Sequence, residues 1–309
     1  MGDKSKIEWT EATWNISTGC TKVSTGCREC YMFREYARLA AMGVKGYIGG
    51  TPDKLRMWPE RLVIPLRWRR PRRIFVNSMS DLFHESVTDH FITEVFQVMR
   101  STPHHIFQVL TKRPERMLGF LARVKRWEGL YTLDGEEPRG YRGHAAIVGD
   151  DGNWPLPNIW LGVSVEDQAT ADERIPLLLQ TTAAVRWVSY EPALGPVDLT
   201  KLQFGWIWDG SERKPSRHNL LVPITIFGDE GDYYFPGLDW VVCGGESGPN
   251  ARPSHPDWFR NVRDQCQAAG VPFFLKKITE KGRKIPFERF PDDLKIREYP
   301  VGGCRELVS

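Results

Sequence analysis

Cys20, Cys27 and Cys30 stand within eleven residues in a C-x6-C-x2-C spacing, while Cys243, Cys266 and Cys304 are scattered along the rest of the chain. Clustered cysteines in a chain with no secretory signal point to metal ligation or redox chemistry rather than to disulfides. Gly19 and Gly26 permit the turns that would fold the loop around a bound group. Three thiolates leave a tetrahedral zinc one ligand short, so a structural zinc would need a distant fourth ligand, with His84, His255 and Cys243 as candidates. The alternative is a site left open on purpose: a [4Fe–4S] cluster on three cysteines keeps one iron free to bind a substrate or cofactor. Unligated cysteines are the third reading, and the open cluster is the one we prefer.

Other residues able to do chemistry follow short apolar runs. Lys112 and Arg113 could pair with a carboxylate or phosphate, or form a plain surface pair with Glu115. Glu191, kept extended by Pro192, could point into a site as a substrate ligand or base. These three are the candidate catalytic residues. Gly244-Gly245-Glu246-Ser247 has the character of a phosphate or nucleoside cradle, because glycines let backbone N–H groups approach a ligand, and Arg252 lies just beyond. Lys276 and Lys277 could bind an anionic substrate or form a solvated pair. Between residues 67 and 73 there are five arginines, Arg69 and Arg70 among them, with Trp68 interleaved. That segment reads either as a phosphate-contacting patch or as a solvated segment before a strand.

The elements that must position these groups alternate. Apolar, β-branched and aromatic runs fall at residues 13–17, 73–78, 105–110, 159–166, 185–190, 238–243 and 271–275. Helical spacing follows several of them: from Thr88 to Met99, from Pro114 through Leu121, from Asp167 to Leu179, and over Pro256–Ala269. Strands alternating with helices imply parallel pairing. The runs end in polar or glycine residues, the placement of functional groups in barrels. The expected fold is α/β: a partial or full (β/α) barrel, TIM-like, with six or seven parallel strands, in one domain over residues 1–309. An open doubly wound sheet is the runner-up. The cysteine loop is placed at residues 18–31, and two long Gly- and Pro-containing stretches, 128–157 and 202–236, are expected to be insertions over a face of the barrel, as lids.

Composition sets bounds. With 41% hydrophobic and 26% charged residues and a net charge of +3, the chain is that of a globular protein, and the charge alone does not indicate nucleic acid. No run approaches the 18 apolar residues of a membrane span, and the first fifteen residues carry charges without an apolar stretch. A cytoplasmic protein is expected. Most of the twelve tryptophans are expected in the core, while Trp9, Trp14 and Trp58 could shield the cysteine site from water.

A three-cysteine loop after the first strand of a (β/α) barrel resembles the radical S-adenosylmethionine (SAM) superfamily. The chain also resembles a phage and bacterial three-cysteine-motif family. That likeness lies in Ser78-Met79-Ser80-Asp81-Leu82-Phe83-His84, Leu110-Thr111-Lys112-Arg113-Pro114-Glu115-Arg116, Glu191-Pro192-Ala193-Leu194-Gly195-Pro196 and Gly244 through Arg252. The pattern departs from the superfamily's usual C-x3-C-x2-C by three residues. Glu29 stands where an aromatic residue is usual, and Ser78-Met79-Ser80-Asp81 replaces a Gly-Gly-Glu signature.

The resemblance implies a [4Fe–4S] cluster and SAM as cofactors. SAM's amino group would then seek acceptors among Ser78, Ser80 and Asp81, which could instead cap a helix. Its ribose hydroxyls would meet Ser164 and Glu166, which share one face of a strand. The implied activity is generation of a 5′-deoxyadenosyl radical acting on a nucleotide or nucleic acid in base modification or repair. The reductant would be a donor such as flavodoxin or ferredoxin. A different class remains open: a metal-dependent nucleic-acid hydrolase or binding protein in which Asp81, Glu166, Glu191 and Glu246 gather a cation, with a structural zinc or SAM-independent cluster. A barrel without catalysis, serving as a partner module, is the least of the three.

Overall fold

Seven strands pair in sequence order, all parallel: β1 (Ala12–Trp14), β2 (Arg73–Val76), β3 (Ile106–Thr111), β4 (Ile159–Val165), β5 (Val185–Tyr190), β6 (Trp240–Gly244) and β7 (Phe273–Lys277). The computed structural model describes residues 4–127, 130–133, 154–209, 212–226 and 232–300. Among the described residues five helices follow the strands: α1 (Tyr31–Ala41), α2 (Asp89–Arg100), α3 (Pro114–Ala122), α4 (Gln168–Gln180) and α5 (Pro256–Ala269). The sheet curls into a partial barrel that is left open, because the two edge strands, β1 and β7, are not paired to each other.

Strand alternation gives the sheet two different faces. Ile74, Val76, Phe107, Val109, Leu161, Val163, Val188, Val241 and Leu275 point outward and share a core with Phe91, Val95 and Phe96 of α2, Phe120 of α3, and Ile175 and Leu178 of α4. Phe75, Trp160, Trp187, Trp240 and Phe274 occupy the intervening positions and fill the barrel interior, with Trp9 packed against them. Trp187 lies against Gly162, where any side chain would overlap its indole. The tryptophans sit toward the N-terminal ends of the strands. The polar residues stand at the C-terminal ends, which form the mouth.

Local sequence sets the helix starts. Thr88 caps α2 by accepting from the Phe91 N–H, and Asp167 caps α4 in a reciprocal box with Thr170. Pro114 and Pro256 occupy first helical positions, and Gly270 ends α5 in the left-handed region. Helix α1, which begins directly after Cys30, was not expected from the sequence.

The second insertion has a defined place. The strands Leu202–Asp209 and Glu212–His218 form a hairpin that packs on α4, where Asp172 accepts from the Gln203 N–H and from Arg217. It therefore lies on the outer helical layer. Of the earlier stretch, residues 128–129 and 134–153 lie outside the described residues. No described residue of either stretch lines the cavity at the mouth.

Candidate active site

The chain leaves β1, forms a two-residue pair with Arg56–Met57 at Ser17–Thr18, and turns into the cysteine loop at Gly19. Gly19 has φ +90°, and a side chain there would overlap the carbonyl of Lys54. Backbone bonds pin the loop's start: Gly19 N–H to Met79 O and Cys20 N–H to Pro52 O. A 3-10 turn over Thr25–Cys27 leads to Cys30, directly ahead of α1.

All three cysteines line one cavity of about 470 Å3 at the barrel mouth. Its walls include Ser78, Ser80, Asp81, Lys112, Arg113, Ser164, Glu191, Glu246, Ser247, Lys276 and Lys277, and Trp9 and Phe75 lie at its inner end. The sheet thus brings together polar residues separated by more than 150 positions. The thiols lie within each other's electrostatic reach, since Cys27 pushes up the pKa of both Cys20 and Cys30. Among the described residues, no three His, Cys, Asp or Glu side chains gather to the spacing of one bound ion.

The thiols differ electrostatically. Burial, reinforced by Asp81, pushes Cys20 up to about 12, and burial raises Cys30. Burial opposes ionisation of Cys27 too, but the Lys112 ammonium and hydrogen bonds from Val23 and Ser24 hold it below its ordinary value.

Residues 4–293 match the family described as Protein of unknown function (DUF5131). The chain belongs to that family. No curated protein matches it in sequence. Among solved structures, a cysteine-to-serine mutant of spore photoproduct lyase is similar at 12% identity and a TM-score of 0.42, covering 90% of this chain and 79% of that one. Spore photoproduct lyase complexed with dinucleoside spore photoproduct is similar at 11% identity, a TM-score of 0.39 and the same coverage.

In this DUF5131 chain several candidate residues hold the loop instead of facing open space. Arg113 reaches Asp81 at 3.2 Å, Glu85 at 2.9 Å, Thr21 Oγ1 at 2.8 Å and Cys20 Sγ at 3.7 Å, fastening the first cysteine. Asp81 also accepts from Thr111 Oγ1, the Lys112 N–H and the Phe83 N–H, which leaves it little capacity for a ligand's amino group. Ser78 donates to Asn15 Oδ1, Ser80 to Gly19 O and Ser164 to Glu191 O. Glu166, expected at a ribose, is 0% exposed and does not line the cavity. It bonds Lys112, Arg174 and Ser24 beneath the loop.

Glu191 faces the cavity, paired to Lys276 at 2.9 Å and to Lys277. Burial alone would raise its pKa, but the two ammonium groups hold it down at about 2, as an ion-paired carboxylate. The glycines of 244–248 serve close packing as well as any cradle. A side chain on Gly245 would overlap Ser254 and Thr279, and one on Gly248 would overlap Arg34. Glu246 is bound by Arg252, whose guanidinium also donates to Thr25 O at 3.1 Å and so ties this loop to the cysteine loop. Ser247 bonds Lys277.

Arg69 and Arg70 are exposed just before β2, at the N-terminal ends of the strands and opposite the mouth. They do not belong to this cavity. The three distant ligand candidates have other partners. His84 uses both ring nitrogens, with Thr21 and Ser86; His255 caps α5; and Cys243 lies in the outer core. Of the tryptophans expected near the site, Trp9 lines the cavity. Trp14 packs in the outer core, and Trp58 donates to Thr18 behind the loop.

Sequence reasoning missed Arg174, Ser24, Asn15 and Arg34. Ser24 carried a local signal in its placement between Cys20 and Cys27. Asn15 and Arg34 flank the loop in sequence without a motif to single them out, and Arg174 reaches it through the tertiary fold.

Proposed function

We propose that this protein is a radical SAM-type iron–sulfur enzyme acting on a nucleotide or nucleic-acid substrate. The observation that carries the reading is that all three thiols of one loop after β1 line the cavity at the C-terminal mouth of a parallel partial barrel. The donor set fits an open cluster. Among the described residues lining the cavity there is no further Cys and no His, so Cys20, Cys27 and Cys30 would hold a [4Fe–4S] cluster with one iron unclaimed. Bound there, it would supply the electron for reductive cleavage of SAM, the source of a 5′-deoxyadenosyl radical that takes hydrogen from carbon.

The chain's own residues prepare the site. Lys112 favours the Cys27 thiolate, and Arg113 fixes Cys20 and Thr21 in place. The packed aromatic floor of Trp9, Phe75, Trp187 and Trp240 closes the inner end against water, which protects a reactive intermediate. The reductant is an external donor of the flavodoxin or ferredoxin class.

The cation-dependent hydrolase reading finds less support. Each of its four carboxylates is already claimed: Asp81 by Arg113, Glu166 by Lys112 and Arg174, Glu191 by Lys276 and Lys277, and Glu246 by Arg252. Metal analysis after anaerobic purification and reconstitution, then EPR of the dithionite-reduced protein with and without SAM, decides between them. A cluster signal that changes with SAM and vanishes in Cys27→Ala is the expected result. Stoichiometric zinc without iron would overturn the proposal.

A further inference from the structure

Lys276 and Lys277 are consecutive on β7, and in a regular strand they would point to opposite faces. They do not. Cys243 of β6 pairs with Leu275, yet Gly244 pairs with Lys277, so β7 carries one extra residue at its end. This bulge turns both lysines into the cavity, where both ammonium groups meet the single carboxylate of Glu191. Gly244 makes room for the arrangement, since a side chain there would press within 3.5 Å of Glu191 and Lys277.

Two cations share one anion. Lys277 is 3% exposed, and its other partner, Ser247, is neutral. A buried ammonium is costly unless paired. The other carboxylates on the cavity wall that act on Lys277 are already bonded elsewhere, Glu246 to Arg252 and Glu8 to Lys284.

We propose that the β7 bulge builds an oxyanion subsite, in which Lys276 and Lys277 bind a phosphate or carboxylate group of a molecule in the cavity. This deepens the proposed function, on which it rests for the identity of that molecule. The oxyanion is either a phosphate of the nucleotide substrate or the carboxylate of SAM.

Binding of inorganic phosphate and of SAM is measured by calorimetry on the anaerobically purified protein, for wild type, Lys276→Gln and Glu191→Gln. Inorganic phosphate needs neither the cluster nor turnover, so this test can fail while the EPR result stands, and the reverse. Losing one charged hydrogen bond should weaken phosphate binding about tenfold or more in Lys276→Gln. Glu191→Gln, which removes the competing carboxylate, should tighten it. If SAM affinity is unchanged in Lys276→Gln, the subsite takes the substrate's phosphate. If SAM weakens in parallel, it takes SAM's carboxylate. Phosphate affinity that is unchanged in both variants, or absent in the wild type, overturns the proposal. Circular dichroism of each variant, and Lys276→Arg as a charge-keeping control that should retain binding, separate lost charge from lost fold.

Discussion

Glu166 fills the space beside Gly26: a methyl group on that glycine would lie 2.6 Å from Glu166 Oε1. The carboxylate cannot give way easily, because Lys112, Arg174 and Ser24 all bond it. The cysteine loop therefore rests on a buried ion cluster at the end of β4, and the absence of a side chain at residue 26 lets it settle there.

Gly26→Ala should consequently push the 3-10 turn carrying Cys27 away from the mouth. Overpacking of this kind costs about 1–3 kcal/mol, which a chain of this size should survive. The expected outcome is a folded protein with a lowered melting temperature and much less iron and sulfide per chain after reconstitution. Wild-type iron content in the variant would show that the loop's position does not depend on this contact.

Glu166→Gln tests the same cluster from the other side. It leaves the half-buried Lys112 without its carboxylate and the buried Arg174 with only the exposed Glu173 at 3.8 Å. Breaking a buried pair in this way costs about 3–5 kcal/mol. Glu246→Gln should cost less, because its partner Arg252 has a side chain 32% exposed and solvent can replace the lost carboxylate. Urea unfolding of the two variants checks the order, and a larger loss for Glu246→Gln would contradict it.

Acid should unfold the protein in two windows. His105 is buried beside His104 and held down to about 4 from 6.5. Its folded pKa is depressed, so the stability it contributes is complete above pH 6.5 and is lost as pH falls toward 4. Glu191 is depressed to about 2 from 4.5, so its contribution is complete above pH 4.5 and is lost as pH falls toward 2. That shift corresponds to roughly 3 kcal/mol. Stability measured by denaturant titration at stepped pH should fall less steeply between pH 4.5 and 2.5 in Glu191→Gln than in wild type. His105→Asn should flatten only the higher window. Parallel curves for wild type and Glu191→Gln would mean that the two lysines do not hold the carboxylate.

Much of this arrangement was legible in the sequence, and the reason is periodicity. The run at 185–190 is β5 itself, and the other six runs match their strands to within a few residues, because apolar outward faces and aromatic inward faces make continuous signals. Residues at strand ends were legible as a set, since parallel strands deliver them to one mouth. Their partners were not. Nothing in the sequence near Glu166 says that Arg174, two helical turns on, folds back beneath it, or that Arg252 reaches Thr25 across more than two hundred residues. The charged residues read as ligand groups turned out largely paired with one another, a fact set by three-dimensional neighbours alone. The arginine run was legible as a patch, but composition could not say at which end of the barrel it lies.

That placement gives the last prediction. Arg69 and Arg70 stand exposed at the N-terminal ends of the strands, with the full height of the barrel between them and the cysteine loop. If DNA is the substrate, these arginines can grip its backbone but cannot touch the reacting nucleotide. The double substitution Arg69→Ala with Arg70→Ala should therefore leave SAM binding and mononucleotide binding unchanged. It should weaken binding to long DNA and lower the dependence of log affinity on log salt by about two, one unit for each lost phosphate contact. Fluorescence anisotropy across a salt series reads that slope directly. A slope unchanged from wild type would make the patch a solvated surface, and a loss of mononucleotide binding would mean that the base of the barrel and its mouth are coupled.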